Sequence, residues 1–274
     1  MQYIDAHSHL HGKEYDHDRA VVLARMREDG VGPIVVGTDI SESRKAVALA
    51  ELNSDIWATI GQHPTDNHVE DFDADAYREL AESNKVVAIG ECGLDYFRLK
   101  AGREVEEKAR QKELFLNQLA LAIELDKPLM IHCRPSKGTE DAHEDMLEIL
   151  FSYSRELENK GGVSELRGAI HFFTGSPEVA VRYIELGFYI SFPGVITFAP
   201  ELADTVRVVP LSSMLAETDS PYATPVPFRG ERNEPVHVRA VVEKISQLKN
   251  EEEGMVAKVL LANSSTLFNI RTNI

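Results

Sequence analysis

The chain has 274 residues, of which 43% are hydrophobic, and this composition is sufficient for a sizeable buried core. It carries 29 basic and 45 acidic residues, a formal net charge of −16, and no run of Lys or Arg. This charge disfavours non-specific wrapping of DNA, although bound metal ions and a few arginines can attract phosphates locally. No apolar stretch reaches the roughly 18 residues that a membrane span needs. The first residues do not resemble a secretory signal, so we expect a soluble, cytoplasmic protein.

Short β-rich runs alternate with longer helical patterns from one end of the chain to the other. The strand candidates, in chain order, are QYIDAHS, PIVVGTD, IWATIGQHP, KVVAIGECG, PLMIHCR, GAIHFF, FYISFPG and SMLAETDSP. Strands this apolar, each followed by a helical or loop segment, favour a closed parallel barrel over an open sheet with shorter, more polar edge strands. The sequence therefore predicts an α/β fold, a (β/α)8 TIM barrel.

Helical spacing is found between these strands. The clearest example is Phe115, Leu119 and Ile123, which follow a charged first turn and stop before Pro128. Further helices are predicted over about 14–29, 41–53, 74–84, 140–159, 176–186 and 235–269, the last broken near Gly254.

No Pro/Ser-rich linker and no internal repeat interrupts the alternation of strands and helices. We therefore predict a single domain over residues 1–274, with a long loop from Pro221 to Pro235 after the eighth strand. The sequence does not fix the oligomeric state, and a monomer is compatible with it.

The C-terminal ends of the strands carry the chemistry in such barrels. The side chains at these ends are nearly all imidazoles and carboxylates, in chain order His7, His9, His63, Glu91, His132, His171 and Asp219. Because side chains alternate faces along a strand, His7 and His9 point the same way, into the mouth of the barrel.

Buried imidazoles and carboxylates need compensating partners, which a metal supplies. The ligand types suit zinc, manganese, nickel or iron, and the number of ligands suits two ions better than one. Glu91 is the natural bridge, since a carboxylate has two oxygens. One histidine at a strand end is often an ordinary polar residue; it is the conjunction at so many ends that favours a metal. We expect no role for the histidines in predicted loops or on helix surfaces, which are His11, His17, His68, His143 and His237.

Seven motifs occur in order: DAHSHL (5–10), GQHP (61–64), GECGLDY (90–96), PLMIHCR (128–134), HFFTG (171–175), ETDSPY (217–222) and RGERNEP (229–235). In these motifs the chain resembles the TatD family of metal-dependent hydrolases, within the amidohydrolase-like barrels. The resemblance covers essentially the whole chain. It implies two ligand sets that share one residue: one ion held by His7, His9, Glu91 and Asp219, and a second held by Glu91, His132 and His171.

Some relatives of this family use a carboxylated lysine as the bridge between the ions. Here Lys85 lies at the start of the fourth strand, the wrong end, and Glu91 occupies the bridging position. The segment CRPSKGTEDAHED after His132 departs from the usual family pattern, as does Phe172, which stands where a cysteine is frequent.

The resemblance implies a deoxyribonuclease that digests single-stranded DNA from its 3′ end with a water activated by two divalent ions, Mg, Mn or Zn. Asp219 is expected to act as a ligand and general base, with Glu91 as the bridge. His63 and Arg134 are expected near the rim, as donors to a phosphate oxygen. Two structural alternatives stay open: His63 could anchor the turn at Pro64, and Arg134 could pair with an acidic neighbour.

Two further functions stay open. The same centre could attack a carbonyl, as an ester or amide hydrolase such as a deacylase of D-aminoacyl-tRNA. A barrel that keeps a metal only for structure could serve as a binding module, although structural metal sites are closed and need no open mouth. The residues Arg229, Arg232 and Glu234 are expected to brace the loop that carries Asp219 rather than to contact substrate.

Overall fold

Eight parallel strands form one sheet in the computed structural model, which describes residues 1–65, 71–159 and 166–271. Each strand pairs with the next in chain order, as the prediction of a parallel barrel requires. Every predicted strand segment overlaps one of the observed strands, which are β1 (Tyr3–Ser8), β2 (Val31–Val36), β3 (Trp57–Ile60), β4 (Val86–Asp95), β5 (Leu129–Arg134), β6 (Gly168–His171), β7 (Phe188–Phe192) and β8 (Met214–Ala216).

Helices follow the strands and cover the outside of the barrel. Within the described residues the α-helices are α1 (Arg19–Glu28), α2 (Ile40–Glu51), α3 (Ala74–Ala81), α4 (Glu104–Glu124), α5 (Asp141–Asn159), α6 (Pro177–Glu185), α7 (Ala203–Val208), α8 (Val238–Lys249) and α9 (Glu253–Leu267). In α4, Phe115 and Leu119 are fully buried, which confirms the predicted apolar face. The short helix α7 was not predicted. None of the described helices is long and apolar enough to cross a membrane.

The barrel closes where the segment after β8 meets the end of β1. The backbone N–H of Asp219 donates to the carbonyl of His7 (2.9 Å), and that of His9 donates to the carbonyl of Ser220 (2.7 Å). Asp219 has a φ of 52°, in the left-handed region that aspartate and asparagine tolerate better than most residues. Closure therefore places Asp219 directly beside the two histidines of β1. The assignment of residues 1–274 to one domain stays a prediction.

The predicted loop from Pro221 to Pro235 contains no helix or strand before a short 3-10 helix begins at Pro235. Arg232 holds it against the start of α1 through an ion pair with Asp18 (2.7 Å). Arg229 donates to the carbonyl of Thr224 within the loop (2.7 Å). These contacts match the bracing role expected for the arginines.

Among the histidines without an expected role, His17 is exposed and His237 is half-buried in the short 3-10 helix. His11 lies in the loop after β1, as expected, but it is buried, with Nε2 3.1 Å from Glu42 Oε2. His68 lies outside the described residues.

The prediction that His143 lies on a surface is wrong. Its side chain is 1% exposed, because it follows Ala142 on the inward face of α5 and shares that face with the buried Met146. Its Nδ1 lies 3.1 Å from the hydroxyl of Tyr183 on α6. Burial lowers the pKa of His143 to about 4.

This shift predicts how stability depends on pH. Below the ordinary pKa of 6.5 the histidine of the unfolded chain takes up a proton, whereas the folded protein resists it down to about 4. The contribution of the buried, neutral His143 to the free energy of unfolding is therefore fully present above pH 6.5. It decreases as the pH falls toward 4, by up to about 3 kcal/mol. We expect His143→Gln to show a shallower fall in unfolding free energy over this window, measured by urea titration. His17→Gln, at an exposed position, is the control, and equal slopes for the parent and His143→Gln would contradict the assignment.

Candidate metal centre

The side chains predicted from the strand ends lie together at one end of the barrel. They come from β1, β4, β5 and β6 and from the residues just after β1, β3 and β8. A cavity of about 840 Å³ opens above them and is lined by several of them. The parallel arrangement of the strands is what brings these distant parts of the chain to one edge.

Glu91 lies at the centre of this group, and its two carboxylate oxygens face different histidines. Oε2 lies 3.4 Å from Nε2 of His7 and 3.9 Å from Nε2 of His9. Oε1 lies 2.9 Å from Nδ1 of His132 and 3.1 Å from Nε2 of His171. One carboxylate therefore lies between two pairs of imidazoles.

The first predicted ligand set has the spacing that a metal ion requires. The Nε2 atoms of His7 and His9 are 3.3 Å apart, and Oδ1 of Asp219 lies 3.4 Å from His9 and 3.8 Å from His7. A tetrahedral ion with bonds of about 2.0–2.2 Å holds its ligand atoms about 3.3–3.6 Å apart. These three side chains fit one divalent ion, whereas Glu91 groups by distance with His7 and His171, so its place in the first set stays a prediction.

The second predicted set is wider. When candidate ligand atoms within 4.8 Å of one another are grouped, His171 falls with His7 and Glu91, whereas His132 falls with His63 and Asp95. The two histidines of this set thus meet at one oxygen of Glu91 without forming a compact trio.

Two carboxylates that the sequence analysis did not single out hold the outer nitrogens of these histidines. Asp95 Oδ2 lies 3.2 Å from Nε2 of His132, and Glu217 Oε1 lies 3.2 Å from Nδ1 of His171. If each carboxylate accepts the ring proton, the other nitrogen keeps its lone pair and faces Glu91, as a ligand must. Strand alternation is the signal that could have found them, since Asp95 is four residues after Glu91 and Glu217 two before Asp219.

The charges at the centre stabilise one another. Burial disfavours the ionised carboxylate of Glu91, but His171, His63 and His132 outweigh it and hold its pKa well below the ordinary value. Burial likewise disfavours a charged His171, yet Glu91 and Glu217 raise the pKa of His171 well above its ordinary value. The cluster therefore attracts positive charge, as protons or as a divalent ion that would displace them.

His63 lies deeper than the rim position expected for it. It is 4% exposed, with Nε2 3.6 Å from Oε1 of Glu91. The backbone N–H of Thr65 donates to its Nδ1 (3.2 Å), so the ring proton belongs on Nε2. In that tautomer the Nε2–H is a hydrogen-bond donor on the side of the ring that faces Glu91 and the cavity.

Arg134 ends β5 and lines the cavity, with its guanidinium 4.0 Å from the centre of the Phe97 ring. Lys85 lies at the opposite end of the barrel, where it donates to backbone carbonyls such as that of Ile56 (2.9 Å). Lys85 is therefore too far from the centre to bridge two ions there.

Comparison with known proteins assigns the chain to a family. The family described as TatD related DNase matches residues 4–269. The chain belongs to the TatD family of metal-dependent hydrolases. The family and the relatives below are named as DNases, metal-dependent hydrolases and exonucleases, so the chain is a hydrolase that acts on phosphoester bonds and not a non-catalytic binding module.

This TatD-family chain has curated relatives of nearly its own length. It is 39% identical to the uncharacterized metal-dependent hydrolase YabD of Bacillus subtilis, covering 97% of this chain and 98% of that protein. It is 35% identical to the 3′-5′ ssDNA/RNA exonuclease TatD of Shigella flexneri, covering 95% and 96% of the two chains. Its structure is similar to that of YJJV, a TatD homologue of Escherichia coli, with a TM-score of 0.85 and 29% identity over 98% of this chain and 99% of that one.

The shared position of Glu91 leads to a prediction about metal content. Glu91→Ala removes an oxygen from both ligand sets, so we expect it to empty or scramble both sites, whereas His132→Ala should mainly weaken the second. Elemental analysis after dialysis in matched buffers measures this, with Asp204→Ala, a change at an exposed acid on α7, as the control. Full two-ion occupancy in Glu91→Ala would remove the bridging assignment.

Proposed function

We propose that this TatD-family hydrolase is a cytoplasmic nuclease that removes nucleotides from the 3′ end of single-stranded DNA, with a water activated by two divalent ions. The observation that carries the proposal is the position of the Glu91 carboxylate, whose two oxygens face two separate pairs of histidines. The exonuclease of Shigella flexneri, similar over nearly the full chain, supports the substrate class. Mg, Mn or Zn would suit the ligands.

The ligands in this proposal are His7, His9, Glu91 and Asp219 for one ion and Glu91, His132 and His171 for the other. Divalent ions at such a centre lower the pKa of a coordinated water and neutralise charge on phosphate oxygens. The protein's own task is to hold these ligands ionised and correctly oriented. Asp95 and Glu217 do so for the second set, by fixing the ring protons on the outer nitrogens.

Asp219 is the proposed general base. Burial disfavours its charge, but His9, His7 and His171 outweigh that effect and lower its pKa, so the carboxylate is ionised at neutral pH. Its side chain is 15% exposed, against 5% for that of Glu91, so it is the more accessible of the two to a water in the cavity. It can therefore accept the proton that the attacking water must lose.

His63 and Arg134 are proposed to bind the substrate phosphate. The Nε2–H of His63 points to the floor of the cavity and can donate to a non-bridging oxygen. Arg134 lines the cavity wall together with three other basic side chains, Lys13, Lys45 and Arg98. Four carboxylates, those of Glu14, Glu42, Glu91 and Asp219, line the cavity as well, so the proposed divalent ions would supply the net positive charge that attracts a phosphate.

The proposed activity is tested with end-labelled single- and double-stranded DNA in the presence of Mg, Mn or Zn. We expect shortening from the 3′ end, faster on single strands, and complete loss with a chelator. Dominant internal nicking of circular DNA would contradict an exonuclease. Release of D-amino acids from tRNA without any digestion of DNA would favour the deacylase instead.

Asp219→Asn tests the role of the base. Asparagine has nearly the same shape and tolerates the left-handed backbone at this position, but it cannot accept the proton. We expect turnover at saturating metal to fall by about 10²–10⁴-fold or more, with little change in substrate binding. Turnover within about threefold of the parent would leave Asp219 as a replaceable ligand at most.

A further inference from the structure

Two exposed aromatic side chains lie at the mouth of the barrel, although most large apolar side chains of the chain are buried. Phe97 is 50% exposed, on the loop after β4, and Tyr222 is 58% exposed, on the loop after β8. In a closed barrel of eight strands, the β4–β5 side lies across the mouth from the β8–β1 side. Tyr222 therefore lines the cavity on one side, and Phe97 contacts Arg134, which lines it on the opposite side.

The first rim carries a flat, positively charged surface. The guanidinium of Arg134 lies 4.0 Å from the centre of the Phe97 ring, and Arg134 lines the cavity. Arg98, the residue after Phe97, also lines the cavity, and its Nε lies 3.6 Å from Oδ2 of Asp95. Asp95 also contacts His132, so Asp95 links Arg98 on this rim to one of the proposed metal ligands. An arginine stacked on an aromatic ring presents a planar cation, which suits both a base and its phosphate.

The second rim is held in place by its backbone. The N–H of Tyr222 donates to the carbonyl of Asp219 (2.9 Å), and its carbonyl accepts from Nδ2 of Asn233 (2.6 Å). The centre of the Tyr222 ring lies 6.1 Å from that of His9, at an interplanar angle of 64°. The ring thus lines the cavity beside the first ligand set, on a fixed loop position.

We propose that Phe97 with Arg134 on one rim, and Tyr222 on the other, are stacking surfaces for the two bases on either side of the scissile phosphodiester. This inference rests on the proposed nuclease function and adds the residues that recognise the substrate. Base–aromatic stacking is tolerant of sequence, since every base has a flat face. It also requires unpaired bases, because bases paired in a duplex stack on each other and cannot reach opposite rims. The efficient substrate is therefore a strand with unpaired bases on both sides of the cleaved bond.

The first experiment measures kcat/KM on a single-stranded oligonucleotide for Phe97→Ala and Tyr222→Ala. We expect losses of about 5-fold to 150-fold in kcat/KM for each, the range that corresponds to one lost stacking contact. Phe97→Trp and Tyr222→Phe should keep most of the parent's kcat/KM, because each retains a flat aromatic ring at the position. Phe151→Ala is the matched control: Phe151, on α5, is 52% exposed and has Arg155 over its ring, but unlike Arg134 this arginine does not line the cavity.

The second experiment removes the base instead of the ring. An oligonucleotide with an abasic nucleotide on one side of the cleaved bond should be a poorer substrate for the parent. One of the two alanine variants should then lose no more than about twofold further, because its stacking partner is already absent. If both variants lose the same factor on intact and abasic strands, or if neither loses more than about twofold on the intact strand, the inference is wrong.

Binding separates this inference from the proposed function. In an Asp219→Asn background, fluorescence anisotropy measures the affinity for intact and abasic strands without digestion. Base-dependent binding that Phe97→Ala and Tyr222→Ala weaken, in a parent that digests no DNA, would reject the nuclease and keep the stacking surfaces. Digestion of DNA by a parent whose binding does not depend on the bases would keep the nuclease and reject the stacking surfaces.

Discussion

The centre of this protein depends on one buried carboxylate placed between imidazoles. Glu91 is nearly inaccessible to water, and it is compatible with burial only because histidines from three strands surround both of its oxygens. Removing it would leave those imidazoles facing each other without the negative charge that holds them together. In the proposed two-ion centre this one side chain belongs to both ligand sets, so it would fix the position of each set relative to the other.

The barrel supplies the frame on which this carboxylate works. The proposed ligands His7, His9 and Asp219 come from opposite ends of the chain. They meet because backbone hydrogen bonds join the end of β1 to the segment after β8. The metal centre is thus a consequence of barrel closure. The exposed rings of the proposed stacking surfaces, Phe97 and Tyr222, lie instead on the loops after β4 and β8, which can change without disturbing the strands.

The cavity has a higher proportion of basic side chains than the chain as a whole. The chain as a whole carries a formal charge of −16, whereas the cavity is lined by four basic and four acidic side chains around a cluster of candidate metal ligands. In the proposed function, the divalent ions would supply the positive charge that attracts a polynucleotide to the mouth and not to the surface at large. Such a local attraction suits the proposed entry of a strand by its end and does not require the broad basic surface with which proteins grip long duplex.

Sequence alone determined the barrel, its eight strands and the types of ligand at their ends, because strand alternation and near-continuous apolar runs are local properties. Tertiary structure decided which atoms meet. Asp95 and His132 are 37 residues apart, and His171 and Glu217 are 46 residues apart. Spacing along the chain could therefore predict neither of these pairs, nor which ring nitrogen of each histidine faces the carboxylate. The burial of His143 and the stacking of Arg134 on Phe97 were likewise hidden, since both depend on how helices and loops pack against the strands.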